Sequence, residues 1–362
     1  LWTLALLGLA GIGAHAQSSV TMYGIVDLPI EHLTNVGADG NSLTRMPGLS
    51  GSVPSRLGFR GTEDLGGGLR GVFTLEMGIG VDTGTFNQGG RAFGRQSYVG
   101  LAGDWGSVTL GRQYSMLFWS QTEADILGPN TFGSGSLDSY LPNARVDNAI
   151  AYRGAFAGFD FGASYSFGRD SVNAGPSPSG TNCAGENSTD PQQCRQWTAM
   201  VKYNAARWGV AAAYDKMHGG PGAFGGLTAT SLTDRRSTVA GWVKPIDSLK
   251  IGAGVIDRDN EGSATTPQSK LWYVGAGYNF SSPLLLEAEL FKLDYRDSPN
   301  EALLWALRAT YFLSKRTALY ATGGHISNDG TLALSLSNGA TGANPVAGGS
   351  QSGVAVGIRH SF

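Results

Sequence analysis

Along most of the chain, apolar and polar residues alternate one by one. Phe159, Phe161, Ala163, Tyr165 and Phe167 are apolar, while Asp160, Gly162, Ser164 and Ser166 fill the gaps. A period of two places the apolar side chains on one face of an extended strand and the polar ones on the other. The pattern returns at Trp197, Ala199, Val201 and Tyr203, at Trp272, Val274, Ala276, Tyr278 and Phe280, and at Val354, Val356, Ile358, His360 and Phe362. It predicts sixteen strands, near 19–31, 53–62, 69–80, 93–102, 106–113, 147–154, 159–168, 196–204, 207–217, 236–246, 249–258, 269–280, 284–296, 302–313, 317–327 and 351–362. The segment Leu286 to Tyr295 falls out of step after Leu290, which points to a bulge or a misplaced boundary.

The connections alternate in length. Asn204 to Arg207, Ile246 to Leu249 and Ser281 to Pro283 are short, whereas 32–52, 81–92, 114–146, 169–195, 218–235, 259–268 and 328–350 are long. An even-stranded meander trimmed at one end and elaborated at the other is the layout of an outer-membrane barrel. Tyr23, Tyr98, Trp105, Tyr165, Trp197, Trp208, Tyr214, Trp272, Tyr278, Trp305, Tyr311 and Phe362 mostly fall near strand ends, as two interfacial girdles require. Beyond residue 16 no run of 18 apolar residues exists, so any membrane crossing is made by a closed barrel, which pairs every backbone polar group. Small residues such as Ala149, Ala151 and Gly154 mark a wall suited to close packing.

Composition narrows the function. The chain has 362 residues, 26 basic against 28 acidic for a net charge of −2, and this balance excludes the polybasic footprint of a nucleic-acid binder. The 55 glycines show no three-residue period, and 10% aromatics argue against disorder. The first sixteen residues, LWTLALLGLAGIGAHA, end in the small-x-small pattern of a signal-peptidase site, so residues 1–16 are expected to be a leader truncated at its start and 17–362 a single barrel domain. Cys183 and Cys194 lie eleven positions apart in a loop; in an exported protein a disulfide is the default, and neither has a second ligand at zinc spacing. The histidines are too scattered for a metal centre, and no cofactor is expected. Gly66, Gly68 and Gly71 satisfy G-x-G-x-x-G, but the following residues have a period of two rather than a helix, so the dinucleotide fingerprint fails its context and no enzyme is expected.

Several stretches together resemble the trimeric general porins of Gram-negative outer membranes, particularly their β-proteobacterial branch: SSVTMYGIVD (18–27), SRLGFRGTEDLGGGL (55–69), FTLEMG (73–78), FGRQSYVGL (93–101), GSVTLGRQYS (106–115), RVDNAIAYRG (145–154), FGASYSFG (161–168) and GIRHSF (357–362). The resemblance implies an all-β, sixteen-stranded antiparallel transmembrane barrel with long extracellular loops, the third folded into the pore. It implies a homotrimer among outer-membrane lipid and lipopolysaccharide, passing small hydrophilic solutes and ions by passive diffusion. Phe362 is similar to the family's assembly signal, and is equally compatible with a girdle position.

Strand parity already places Arg56, Arg60, Arg70, Glu76 and Arg153 on the watery face, because an arginine in lipid at mid-depth costs roughly 2–4 kcal/mol. By motif, the resemblance makes Arg56, Arg95 and Arg153 an arginine wall at the constriction, Glu76 a lumenal acid, and Glu123 and Asp125 the third-loop acids opposite; Arg112 is a weaker candidate. Two departures stand out. Ile25 occupies the place where many enterobacterial relatives carry a lysine, and Gly128-Pro129-Asn130-Thr131-Phe132-Gly133 replaces their PEFGG-like loop tip. Clustered arginines predict anion preference. The alternatives are a substrate-specific channel, or a barrel whose loops bind a surface partner.

Overall fold

The computed structural model describes residues 19–48, 50–173, 180–337 and 342–362. The leader expected over residues 1–16 lies outside them. Sixteen antiparallel strands close into one barrel, from Ser19–Val36 to Ser350–Ser361. Ile25 to Leu33 of the first strand pair with Ser361 to Gly353 of the last, while its opposite edge takes Arg56–Gly66.

Two further strands among the described residues lie in long loops. Asn41–Arg45 folds back on the first strand, and Thr85–Phe86 pairs with the end of Leu69–Gly80. The first strand therefore outruns its expected end at 31, held by a buried ion pair from Arg45 Nε to Glu31 at 2.6 Å. The second stave starts at Arg56 rather than 53. Pro54 has no N–H to offer a ladder, and its neighbours bind Asp27 instead, through Ser52 Oγ at 2.5 Å and the Val53 N–H at 3.0 Å.

The outer wall is apolar from strand to strand, with Val20, Met22, Val99, Leu110, Val239, Leu307 and Val356 all exposed. Aromatic rings bound this band. Trp197 lies 4.9 Å from Tyr214 and Tyr165 5.3 Å from Phe167 at one rim; Tyr203 lies 4.8 Å from Phe159 and 5.3 Å from Trp208 at the other. Trp197 and Tyr203, Trp272 and Tyr278, and Trp305 and Tyr311 stand at matching intervals, about 20 Å of strand at ~3.3 Å per residue. Tyr23 and Tyr98 depart from the girdle expected of them. With Val20, Met22, Val99 and Leu101 facing out, both tyrosines face in, Tyr23 donating to Glu76 and Tyr98 accepting from Thr74, each at 3.0 Å. Ala149 and Ala151 also face inward, 2% exposed; Ala151 makes room for Met116 rather than for a neighbouring subunit.

The third long loop, 115–144, enters the barrel. It carries the helix Met116–Gln121 and 3-10 turns at Ser134–Ser136 and Leu141–Asn143. Leu117, Leu127, Phe132 and Leu137 of the loop build an apolar core with Ile256, Leu271, Phe291, Leu293, Leu304 and Ile326 of the wall. This explains the lost step after Leu290. No bulge occurs there, since pairing runs unbroken from Ser269↔Tyr295 to Asn279↔Leu285. Phe291 and Leu293 are apolar and inward because the loop, not water, faces them.

Cys183 and Cys194 are joined, packed against Ala223 and Leu227 of the next loop. A short disulfide loop of this kind contributes about 2–3 kcal/mol, here confined to one end of the barrel. Cys183→Ser is expected to speed tryptic cleavage in the 167–195 loop several-fold, while the folded barrel keeps its gel mobility before heating. Loss of the folded band would contradict a purely local role.

Candidate pore constriction

The inward positions of Leu69–Gly80 are the even ones, which brings Glu76 to the lumen side, 4% exposed. Its carboxylate accepts from Tyr23 at 3.0 Å and from Arg95 Nε at 2.7 Å. Arg95 Nη2 donates to the Tyr114 hydroxyl at 2.6 Å, and Arg145 Nη2 donates to the same oxygen at 2.7 Å with its guanidinium 4.4 Å from the ring centre. Arg56 faces this group from the adjoining strand, half-buried and electrostatically coupled to Arg95 and Glu76. Two guanidiniums, Arg95 and Arg56, thus act on one carboxylate, with Arg145 on the far side of the Tyr114 hydroxyl. Arg60 lies 5.3 Å from the Tyr23 ring, adding charge to the same wall.

Arg153 stands apart from this cluster. It pairs in register with Ser107 and Gly162, and its guanidinium covers the Trp119 ring of the loop helix at 4.1 Å. The two residues share a recess of about 380 Å³ with Arg70, Tyr98 and Asp160. Arg112 is committed elsewhere, bonded to the Gly94 carbonyl at 2.7 Å and to Asp147 at 2.5 Å.

The acids expected opposite the arginines do other work. Glu123 pairs with Lys250 of the wall at 3.0 Å. Asp125 is buried, 5% exposed, and accepts from the Gly128 N–H at 2.9 Å and from Ser134 at 2.6 Å. Burial pushes its carboxyl up to about 6, against the pull of Ser134 and Gly128. Beside it stands Glu289, whose carboxyl accepts from the N–H groups of Ile126 at 3.2 Å and Leu127 at 2.7 Å. A third loop acid, Asp138, is spent on Arg236 at 2.9 Å; burial opposes its ionisation, but Arg236 and Arg258 outweigh this and hold it at about 2. The Arg95–Glu76 ion pair puts the fourth acid on the arginine wall itself, not across from it.

Sequence reasoning missed Arg145, Tyr114, Lys250 and Glu289. Parity gave no valid signal for Arg145, because the ladder slips by one residue between Ala149 and Val146. Glu289 and Lys250 gave none, since their partners lie more than a hundred residues away.

A family model described as Gram-negative porin matches residues 3–331. The chain belongs to the Gram-negative porin family. Outer membrane porin protein 32 of Delftia acidovorans is 31% identical, with 100% of this chain and 99% of the relative covered. An outer membrane porin of Bordetella pertussis is 30% identical over 99% and 97%. Among solved structures, the anion-selective porin from Comamonas acidovorans has 27% identity and a TM-score of 0.75, covering 96% of this chain and all of the other. The porin is an outer-membrane channel protein, and its lumen, narrowed by the third loop between the Glu76 wall and the Lys250–Glu289 wall, is its functional space. At the first departure noted above, Ile25 points into that lumen, one inward position from Tyr23.

Proposed function

We propose that the porin is an anion-preferring diffusion channel for small hydrophilic solutes, working as a homotrimer in contact with outer-membrane lipid and lipopolysaccharide, and exported behind a leader over residues 1–16. One observation carries the selectivity: the loop acids Glu123, Asp125 and Asp138 are each engaged by the opposite wall or by the loop, leaving Arg56, Arg95 and Arg145 with Glu76 as their one facing acid among the described residues. In a narrow passage with low-dielectric walls such an excess raises local anion concentration and lowers that of cations. No chemical step is involved; the gradient drives flow. Arg56, Arg95, Arg153, Glu76, Glu123 and Asp125 remain the constriction residues of this reading, with Arg145 added and the last two acting as struts rather than as an acidic screen.

The trimer draws support from the outer wall. Outward tryptophans and tyrosines within strands belong to the arc from Arg145–Phe156 to Glu301–Phe312, whereas the arc through Thr317–Asn328, Ser350–Ser361, Ser19–Val36, Arg56–Gly66 and Leu69–Gly80 presents Leu319, Val356, Met22, Phe59 and Leu75 without them. Interfacial Trp and Tyr mark lipid-facing surface, so the second arc suits subunit contact.

The reading is tested by reversal potentials in planar bilayers. Across a tenfold KCl gradient the potential is expected to carry the sign of chloride permeation and to shrink as total salt rises and screens the arginines. A potential of potassium sign overturns it.

A further inference from the structure

Two buried cations of the constriction share one neutral oxygen. Arg95, Tyr114 and Arg145 are each at most 4% exposed. Arg95 has Glu76 as its carboxylate at 2.7 Å, but Arg145 forms no ion pair among the described residues. Its Nη1 reaches the Pro142 carbonyl at 2.9 Å, its Nε is buried without a partner among the described residues, and its Nη2 ends on the Tyr114 hydroxyl. A buried charge is ordinarily paired, because its lost hydration is otherwise uncompensated. Here a phenol holds the place of the second carboxylate.

The phenol is suited to that part. Its oxygen accepts from both guanidiniums, at 2.6 and 2.7 Å, and among the described residues no acceptor takes its own proton. Hydrogen bonds onto an oxygen favour its charged form, and so do cations beside it. Losing the proton therefore breaks no bond to a described residue and strengthens two. Stacking holds the ring in place, with Phe118 at 4.0 Å and Trp119 edge-on at 5.6 Å. The charged groups facing the oxygen are Arg95 and Arg145, with Arg56 within electrostatic reach and Glu76 as the one acid. Arg112, two residues back on the same strand, is paired with Asp147. The helix Met116–Gln121, whose Phe118 and Trp119 pack on the ring, carries no charge.

We propose that Tyr114 is the ionisable counter-charge of the arginine wall: its phenol proton passes to lumenal water, the phenolate stays bonded to Arg95 and Arg145, and the wall loses one unit of positive charge. The inference rests on the anion preference proposed above and gives that preference an alkaline limit. Tyr114 is thus a residue that sets specificity from behind the wall, through the two arginines it holds.

Ionisation is read from tyrosinate absorbance during an alkaline titration of the folded porin in detergent. One of the chain's 13 tyrosines is expected to ionise about tenfold more readily than the rest, roughly one pH unit ahead of the ~10 of an ordinary phenol. Tyr114→Phe should remove that early step, and Arg145→Gln, which takes away one cation, should return it to the main transition. All tyrosines titrating together in the wild-type porin overturn the proposal, as does an early step that survives in Tyr114→Phe. In planar bilayers at low salt, the chloride-to-potassium permeability ratio of the wild-type porin should fall about twofold between about pH 8 and 9.5, ahead of the lysines, and stay level in Tyr114→Phe. A wild-type ratio as level as that of the variant overturns the role in selectivity. The absorbance needs no open channel, so it decides on Tyr114 even where potassium preference at neutral pH overturns the anion reading.

Discussion

Glu289→Ala is expected to loosen the third loop within the pore and so to give single-channel records with larger, noisier open currents. Two loop N–H groups, those of Ile126 and Leu127, end on this one carboxyl. Hydrogen bonds to a charged acceptor are worth roughly 1.5–3 kcal/mol each, and alanine leaves both donors buried and unanswered. Asp125 faces Glu289 in the same buried space, and two carboxylates so placed repel, which favours a proton on one of them. Around the pair stand Arg308 and the Tyr273 hydroxyl, the latter buried without a partner among the described residues.

This sets the sign of the pH effect. Asp125, with its carboxyl pushed up to about 6, holds a proton in the docked loop that an exposed aspartate would release. Docking is therefore strongest below about pH 4 and weakens as pH rises through 6. Open-channel noise in the wild-type porin should grow between pH 5 and 8. Asp125→Asn, whose amide cannot ionise and whose oxygen can still accept the Gly128 N–H, should stay quiet across that range. Noise that falls with rising pH, or an equally steep profile in Asp125→Asn, would rule out a protonated Asp125 in the docked loop.

Removing lumenal charge should act chiefly on selectivity, although replacing Arg153 also removes its contact with Trp119 of the loop helix. Arg56 and Arg153 are the candidates to replace, since neither forms an ion pair among the described residues, whereas removing Arg95 would strand Glu76. A unit charge ~10 Å from a permeating ion in water is worth about 0.4 kcal/mol. That is about a factor of two for an anion and the inverse for a cation, reduced by salt at the Debye length. Arg56→Ala with Arg153→Ala should accordingly lower the chloride-to-potassium permeability ratio about two- to fourfold per arginine at low salt, with little effect at 1 M. An unchanged ratio at low salt would remove these residues from the selectivity mechanism.

The barrel was legible in the sequence because lipid outside and strands to either side impose a period of two on every stave. Trp197 to Tyr203 and Val354 to Phe362 could be read one residue at a time. What filled the barrel was less legible. The loop docks through contacts such as Glu289 to Leu127 and the Ala124 backbone against Gly252, where an added Cβ would come within 2.0 Å of the Ala124 carbonyl oxygen. Such contacts leave no local periodicity. They also disturb the pattern they meet: Phe291 and Leu293 looked like a slipped strand because an apolar segment of the same chain had replaced water on their face. Tyr23 and Tyr98 face the lumen rather than a girdle for a related reason, since a tyrosine near a strand end serves a lipid interface or an inward hydrogen-bond network equally well.

The junction of the first and last strands bears on how the molecule comes to exist. Ile25 meets Ser361, and the Phe362 N–H bonds the Gly24 carbonyl at 3.1 Å, its ring seated where Gly24 has no side chain. Bringing these ends together spans nearly the whole chain and cannot begin until the last strand has been synthesised. Until then Ser19–Val36 has one ladder edge unsatisfied, an arrangement hydrocarbon does not tolerate and another chain would readily exploit. Assembly must therefore be post-translational, with the partly formed sheet shielded from its neighbours, and its slow step is expected to be this one long-range closure rather than any hairpin along the way.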